Sequence, residues 1–329
     1  MFVTVLLFIL GLGLLIKGGD WFVDGASGLA KRFKISEMLI GATVVSIGTT
    51  LPEIMVSATS AIGGHGEIAY GNALGSIICN TALVAAITMA FRPSKVDKKS
   101  FSTATVFFFV AAVFYAIVAV FFRIFSRITG VILLVIFAAY MATLIVEMKK
   151  SPSITSLSEQ NDQNTEPPAE KKGKLALEIL FIVSGAALIA VGAKLLVDNG
   201  TKIAEAMGVS EAVIALTFVA LGTSLPELAT AVTALIKGHS SLSIGNVIGA
   251  NLFNIVLVSG ISASLSPFSI PADRTLFGIN SSLLVDVPLM LAVMLVMTVP
   301  PLVSGKLRRW QGILLLAVYA AFVAFQFVY

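Results

Sequence analysis

Apolar residues come in long unbroken runs, not in the alternating or every-third-and-fourth pattern of a half-buried soluble element. Ten runs are long enough for an α-helix to cross a bilayer, which takes about 20 residues. They fall near 2–29, 37–62, 67–90, 101–122, 127–147, 175–205, 211–236, 241–265, 277–299 and 307–328. The pattern predicts an all-α integral membrane protein of ten transmembrane helices. Met1 to Ile16 lacks the basic leader of a signal peptide, and the segment that follows has a counterpart later in the chain, so it counts as part of a span. Only residues 149–174 break the pattern. Their sequence, KKSPSITSLSEQNDQNTEPPAEKKGK, is polar and rich in Pro, Ser and charge, as a flexible linker is. It divides the chain into units 1–148 and 175–329.

Composition agrees with that reading. The chain is 57% hydrophobic and 12% charged, with a mean hydropathy of +0.98, whereas soluble domains are about half apolar and about a quarter charged. The lipid bilayer is therefore its main surrounding. The formal charge of +4 is spread through loops and gives no nucleic-acid surface. The single cysteine, Cys79, excludes an intrachain disulfide. Basic residues set the orientation. On one side lie Lys31, Arg32, Lys34, Arg92, Lys95, Lys98, Lys99, Lys149, Lys150, Lys171, Lys172, Lys174, Lys237, Lys306, Arg308 and Arg309; the other has only Arg123, Arg127, Lys202 and Arg274. This asymmetry predicts a cell-membrane protein with the linker in the cytoplasm and both termini outside.

A shift of 174 residues aligns the two halves. ISEMLIGATVVSIGTTLPE, from Ile35, meets VSEAVIALTFVALGTSLPE, from Val209; GHGEIAYGNALGSIICN, from Gly64, meets GHSSLSIGNVIGANLFN, from Gly238. Between 41–80 and 215–254, 15 of 40 positions are identical, among them Gly48/Gly222, Pro52/Pro226, Glu53/Glu227 and Asn80/Asn254. Chance likeness between apolar helices shares Leu, Val and Ala, not Pro, Glu, Asn and His in register. Because five spans is an odd number, the second copy starts on the opposite face of the membrane. The expected architecture is two inverted five-helix repeats, which in secondary transporters place the site near mid-membrane between the repeats.

Glu53 and Glu227 lie well inside their spans, where an isolated carboxylate costs at least roughly 2.5–3.5 kcal/mol. Lys17 and Lys194 sit on other spans at unmatched positions, so a bound cation or protons must offset that cost. Thr49 and Thr223 precede the glutamates by four residues and share their helix face. Pro52 and Pro226 remove a backbone donor and crowd the carbonyls of Gly48 and Gly222, which predicts an interrupted helix with free carbonyl ligands. Thr50 and Ser224 add hydroxyls. In the third and eighth spans Asn72, Ser76 and Asn80 form a polar stripe copied by Asn246, Ala250 and Asn254, flanked by the small pairs Gly71/Gly75 and Gly245/Gly249. All these donors are hard oxygens, suited to sodium or calcium.

GTTLPE at 48–53 and GTSLPE at 222–227, each followed by GN-x-x-G-x-x-x-x-N, resemble the two alpha repeats of the cation/calcium exchanger superfamily, most closely its prokaryotic sodium/calcium exchanger branch. The resemblance covers the ten-span layout and both 40-residue motifs, and the paired motif is highly specific. It implies four central helices enclosing calcium and sodium in turn. It implies a calcium set of Thr49, Glu53, Thr223 and Glu227. It also implies sodium sites from Ser46, Thr50, Glu53, Ser76, Asn80, Ala220, Ser224, Glu227 and Asn254, with Ser46 and Ala220 contributing carbonyls. Two positions depart from the family pattern: Ala250 where serine is common, and Asn254 where many relatives carry aspartate.

The implied activity is antiport of Ca²⁺ against Na⁺ by alternating access, with the long first and sixth spans as the sliding part and no cofactor beyond the transported ions. A proton/calcium antiporter of the same superfamily and a cation channel are the alternatives. No Ser/His/Asp set, His-rich motif or GxxxxGK[ST] loop suggests an enzyme. His65 and His239 are matched loop residues with expected turn roles, Asp24 and Asp198 are matched residues expected at solvated helix ends, and Asp286 is expected to be a paired structural carboxylate.

Overall fold

The computed structural model describes residues 1–33, 35–150, 168–206, 220–271 and 275–328. These form α1 (Phe2–Phe33), α2 (Glu37–Ile62), α3 (Gly66–Phe91), α4 (Lys98–Phe122), α5 (Arg127–Lys150) and α6 (Pro168–Ala206). They continue with α7 (Ala220–Thr223), α8 (Leu225–Lys237), α9 (Ser240–Leu265), α10 (Ser282–Ser304) and α11 (Arg309–Val328). Among the described residues, nine helices are long and apolar enough to cross a membrane. They match nine of the ten expected spans. The remaining one, expected at 211–236, lies partly outside the described residues, and its described part is α7 and α8. Most of the expected linker, residues 151–167, is likewise outside them. Helix reaches Lys150 on one side and resumes at Pro168 on the other, inside the stretch expected to be linker. Proline is well suited to the first helical turn, and the Ala-Glu-Lys-Lys that follows favours helix.

The span expected at 277–299 runs instead from Ser282 to Ser304. Its start is delayed by a hairpin, in which Thr275–Leu276 pairs with Ile279–Asn280, turning on Phe277 (φ 53°) and Gly278 (φ 77°). Two successive positive φ values are what a tight hairpin turn requires. Pro300 and Pro301 lie within the helix, which ends at Gly305 in the left-handed conformation. A second small pairing joins Ile124–Phe125 to Phe268–Ser269. Both pairings lie in loops between the described helices.

Burial sorts the helices into two shells. Of the most apolar stretch, 89% is buried in α9 and 72% in α3, against 22% in α1 and 17% in α6. The last two expose large apolar side chains such as Leu6, Leu10, Leu180 and Val183, as lipid-facing helices do. They pack on each other through glycines. A Cβ at Gly11 would lie 2.9 Å from the Gly192 carbonyl oxygen, one at Gly18 2.8 Å from that of Gly185, and one at Gly25 2.6 Å from that of Glu178. Contacts that descend along α6 as they ascend along α1 make the two helices antiparallel. Gly11 and Gly18 are the repeat counterparts of Gly185 and Gly192, so the pair meets by reciprocal contacts. Arg32 clamps the same pair at its end, with Nε 2.6 Å and Nη2 3.0 Å from the two carboxylate oxygens of Glu178.

Candidate cation site

Repeat-related elements bury most of the predicted residues in the inner shell. Ser46, Thr49, Thr50 and Glu53 on α2 are buried, as are Ser76 and Asn80 on α3, Ser224 and Glu227 at the start of α8, and Asn254 on α9. Thr223, at the end of α7, is half-buried, and Ala220 opens the same short helix. The Glu53 and Glu227 carboxyl groups lie within electrostatic range of each other, and the Thr49 hydroxyl lies near Glu227.

The two copies reach this point by different backbones. Pro52 sits inside a continuous helix, Ser46–Ile62, so the interruption expected at Gly48 does not occur in the first copy. The distortion lies upstream, in a π-turn at Gly41–Val45. The Ser46 hydroxyl lies 2.8 Å from the Gly41 carbonyl oxygen and 2.9 Å from that of Asn246, which fastens this turn to α9. Gly245 and Gly249 let the backbones meet, since a Cβ on either would strike the Met38 and Ala42 main chain. In the second copy Ala220 replaces Ser46 and offers no hydroxyl anchor. There the helix does break, with Ser224 (φ −92°, ψ 2°) separating α7 from α8 just before Pro226. Two further π-turns, Asn80–Ala85 and Asn254–Val258, start at the two matched asparagines. A π-turn carries an extra residue and re-aims the side chains around it.

Most polar atoms in a protein interior find partners. Here Thr50 Oγ1, both oxygens of Glu53 and of Glu227, Ser76 Oγ, Ser224 Oγ and both amide atoms of Asn80 and Asn254 find none among the described residues. No Lys, Arg or His pairs with either glutamate among them. Tyr115 Oη, Glu147 Oε2, Asn246 Nδ2, Asn251 Oδ1 and Ser262 Oγ are also unpartnered among the described residues, whereas the expected ligands Ser46, Thr49 and Thr223 have partners. The arrangement, hard oxygens around two carboxylates, suits sodium or calcium.

Asn72 and Asn246 serve otherwise than as additional members of that stripe. Thr49 Oγ1 donates to Asn246 Oδ1 at 3.2 Å, and Thr223 Oγ1 donates to Asn72 Oδ1 at 3.2 Å. Ser57, on the same helix as Glu53, accepts from Asn72 Nδ2 at 2.9 Å; its apolar counterpart Ala231 leaves no sign of this role in the repeat. The weaker candidates also resolve. His239 Nδ1 is 2.7 Å from Glu37 Oε1, Asp24 pairs with Lys237 rather than being merely solvated, and Gln326 Nε2 reaches Asp286 Oδ1 at 3.5 Å. Gly71 and Gly75 line a cavity of about 280 Å³ rather than a close helix contact among the described residues.

A many-helix membrane protein with paired buried carboxylates ringed by oxygen donors belongs to the ion-transporting class. The profile of the family "Sodium/calcium exchanger protein" matches residues 3–146 and 177–328, and the chain belongs to that family. It is 36% identical over 318 residues to an uncharacterized membrane protein of Methanocaldococcus jannaschii, covering 96% of each chain. It is 32% identical over 353 residues to the sodium/calcium exchanger MaX1 of Methanosarcina acetivorans, covering 99% of each. Among solved structures it is similar to the sodium-calcium exchanger NCX_Mj soaked with Na⁺ and Sr²⁺, with a TM-score of 0.80, 33% identity and 98% of each chain covered.

Proposed function

We propose that this protein is a secondary active antiporter exchanging Na⁺ for Ca²⁺ at one site shared by the two repeats. Glu53 and Glu227 are the shared ligands, because exchange without leak requires that each ion exclude the other. Thr49 and Thr223 complete the calcium set; Ser46, Thr50, Ser76, Asn80, Ala220, Ser224 and Asn254 contribute to sodium. The observation that carries this reading is the burial of both carboxylates among unpartnered hydroxyl and amide groups, with no side-chain cation paired to them among the described residues. Two carboxylates neutralise one Ca²⁺ or two Na⁺.

Alternating access follows from movement of the α1–α6 pair across the inner shell, with the repeats inverted, the linker cytoplasmic and both termini outside. The reciprocal antiparallel packing of α1 and α6 supports that inversion. Phe22 lies against Gly48, and a cavity of only about 10 Å³ remains between Phe22, Thr49, Pro52, Ile189 and Pro226. That is room for at most about one water, so an ion passes on this side only when the pair shifts.

The test is calcium uptake into vesicles driven by an outward sodium gradient. Wild type takes up calcium, and Glu53→Gln or Glu227→Gln inserts normally but does not. Uptake that needs a proton gradient and ignores sodium indicates proton coupling instead, and normal uptake in either variant removes the site assignment.

A further inference from the structure

We infer that Asn72 and Asn246 are positioning residues, each fixing the hydroxyl of the site threonine that belongs to the opposite repeat. This rests on the exchange reading and deepens it. The bonds Thr49 to Asn246 and Thr223 to Asn72 are one contact made twice, since 49 and 223, and 72 and 246, are repeat counterparts. Each crosses from one half to the other, so each of these threonines has an acceptor in the opposite repeat.

The chemistry lies in where the hydroxyl proton goes. A threonine hydroxyl has one proton and two acceptor lone pairs. Helical threonines in this chain give the proton to the carbonyl four residues back: Thr43 to Leu39 at 2.7 Å, Thr105 to Phe101 at 2.7 Å and Thr230 to Pro226 at 2.7 Å. Thr49 departs from that habit. Its backbone contact, to the Ser46 carbonyl, is 3.5 Å, longer than the 3.2 Å to Asn246 Oδ1. Its other neighbour is the Glu227 carboxyl. A proton given to that carboxylate would occupy an oxygen needed by the cation. Drawn off to a neutral amide, it leaves both the threonine lone pairs and the carboxylate free for the cation. An asparagine does this without adding charge.

The two asparagines are held differently. Asn72 Nδ2 donates to Ser57 Oγ, which fixes the amide so that its oxygen faces Thr223. Asn246 is fully buried in α9 and its main-chain carbonyl oxygen accepts from Ser46, while its side-chain Nδ2 has no partner among the described residues. Different supports deliver the same contact, which a purely inherited packing habit does not require.

The test is a set of double-mutant cycles on Asn246→Leu, Asn72→Leu, Thr49→Ala and Thr223→Ala. The readouts are sodium-driven calcium flux in vesicles and equilibrium calcium binding to purified protein. Each asparagine variant is expected to raise the KM for calcium about tenfold and to change maximal rate less than twofold. Asn246→Leu should add nothing once Thr49 is alanine, yet multiply with Thr223→Ala; Asn72→Leu should behave in the mirror sense. Asn246→Gln, which keeps a neutral amide acceptor, should restore part of the binding lost in Asn246→Leu. Multiplication in every cycle, or a fall in maximal rate at unchanged KM, overturns the inference. Should a leucine variant fail to fold, Ser57→Ala, which only loosens Asn72, must still weaken calcium binding in wild type and not in Thr223→Ala. Wild type that binds calcium but shows no sodium-driven flux defeats the exchange reading alone. Additive binding cycles defeat this inference alone, and no calcium binding by wild type defeats both.

Discussion

Lys237 Nζ lies 2.8 Å from Asp24 Oδ1, and 3.4 Å from Asp20 Oδ1, tying the C-terminal end of α8 to α1. The repeat does not reproduce this tie. Gly63 stands at the position of Lys237, and Lys194 and Asp198 stand at those of Asp20 and Asp24. Lys194 and Asp198 pair within α6 itself at 3.3 Å. Related repeats give two end states of similar energy, and a one-sided ion pair biases them. This one holds the C-terminal half of α1, the cytoplasmic half in the proposed orientation, against the end of α8.

Lys237→Ala should therefore favour the cytoplasm-open state. Partly exposed ion pairs contribute about 0.2–1 kcal/mol, a population change of up to about fivefold. The apparent KM for calcium should fall at the cytoplasmic face and rise at the outer face, as read in vesicles of each orientation. Asp24→Asn should act alike and add little to Lys237→Ala. Equal shifts at both faces would contradict the bias.

The glycine seam between α1 and α6 makes a stability prediction. Alanine at Gly18 would put a Cβ 2.8 Å from both the Gly185 carbonyl oxygen and the Ile189 nitrogen, both backbone atoms that cannot turn aside. Overpacking of this kind costs about 1–3 kcal/mol. Gly18→Ala should lower the melting temperature in detergent, whereas Gly13→Ala, which meets nothing within 4 Å, should not.

Much of this arrangement is legible in the amino-acid sequence. The apolar runs match nine described spans, and identical Pro, Glu and Asn in register point to the buried glutamate pair, because a carboxylate in hydrocarbon has few innocent explanations. Three things are not. Proline marks a missing hydrogen bond but not whether the helix survives it; that depends on Ser46 anchoring α2 where Ala220 cannot anchor α7. The start of α10 is set by a hairpin turn at Phe277–Gly278, which is too short to disturb an apolar run. The cross-repeat bonds of Thr49 and Thr223 depend on which helices cross, and spacing along one helix carries no such information.

Arg32 and Glu178 should contribute measurably to holding α1 against α6. Each side chain is 19% exposed, and the guanidinium meets the carboxylate through two nitrogens. Charge-assisted hydrogen bonds in such settings contribute about 1.5–3 kcal/mol. Lysine cannot reproduce the two-point geometry, so Arg32→Lys should lose most of the stability lost by Arg32→Ala. Thermal melts of the two variants check this, and a lysine variant as stable as wild type would show that charge alone suffices.

Asn254 offers a sharper test of the charge balance. It is fully buried, starts a π-turn and has both amide atoms unpartnered among the described residues. Asn254→Asp changes shape little and adds a third carboxylate to a site whose two existing charges match one Ca²⁺. When that group is protonated the variant should resemble wild type. As pH rises and it ionises, the calcium-loaded site carries net negative charge, which is costly to enclose away from water. Calcium turnover should then fall with rising pH in Asn254→Asp relative to wild type, while apparent affinity for sodium increases. Parallel pH profiles for the two proteins, measured as sodium-driven calcium flux with internal and external pH matched, would place Asn254 outside the field of Glu53 and Glu227.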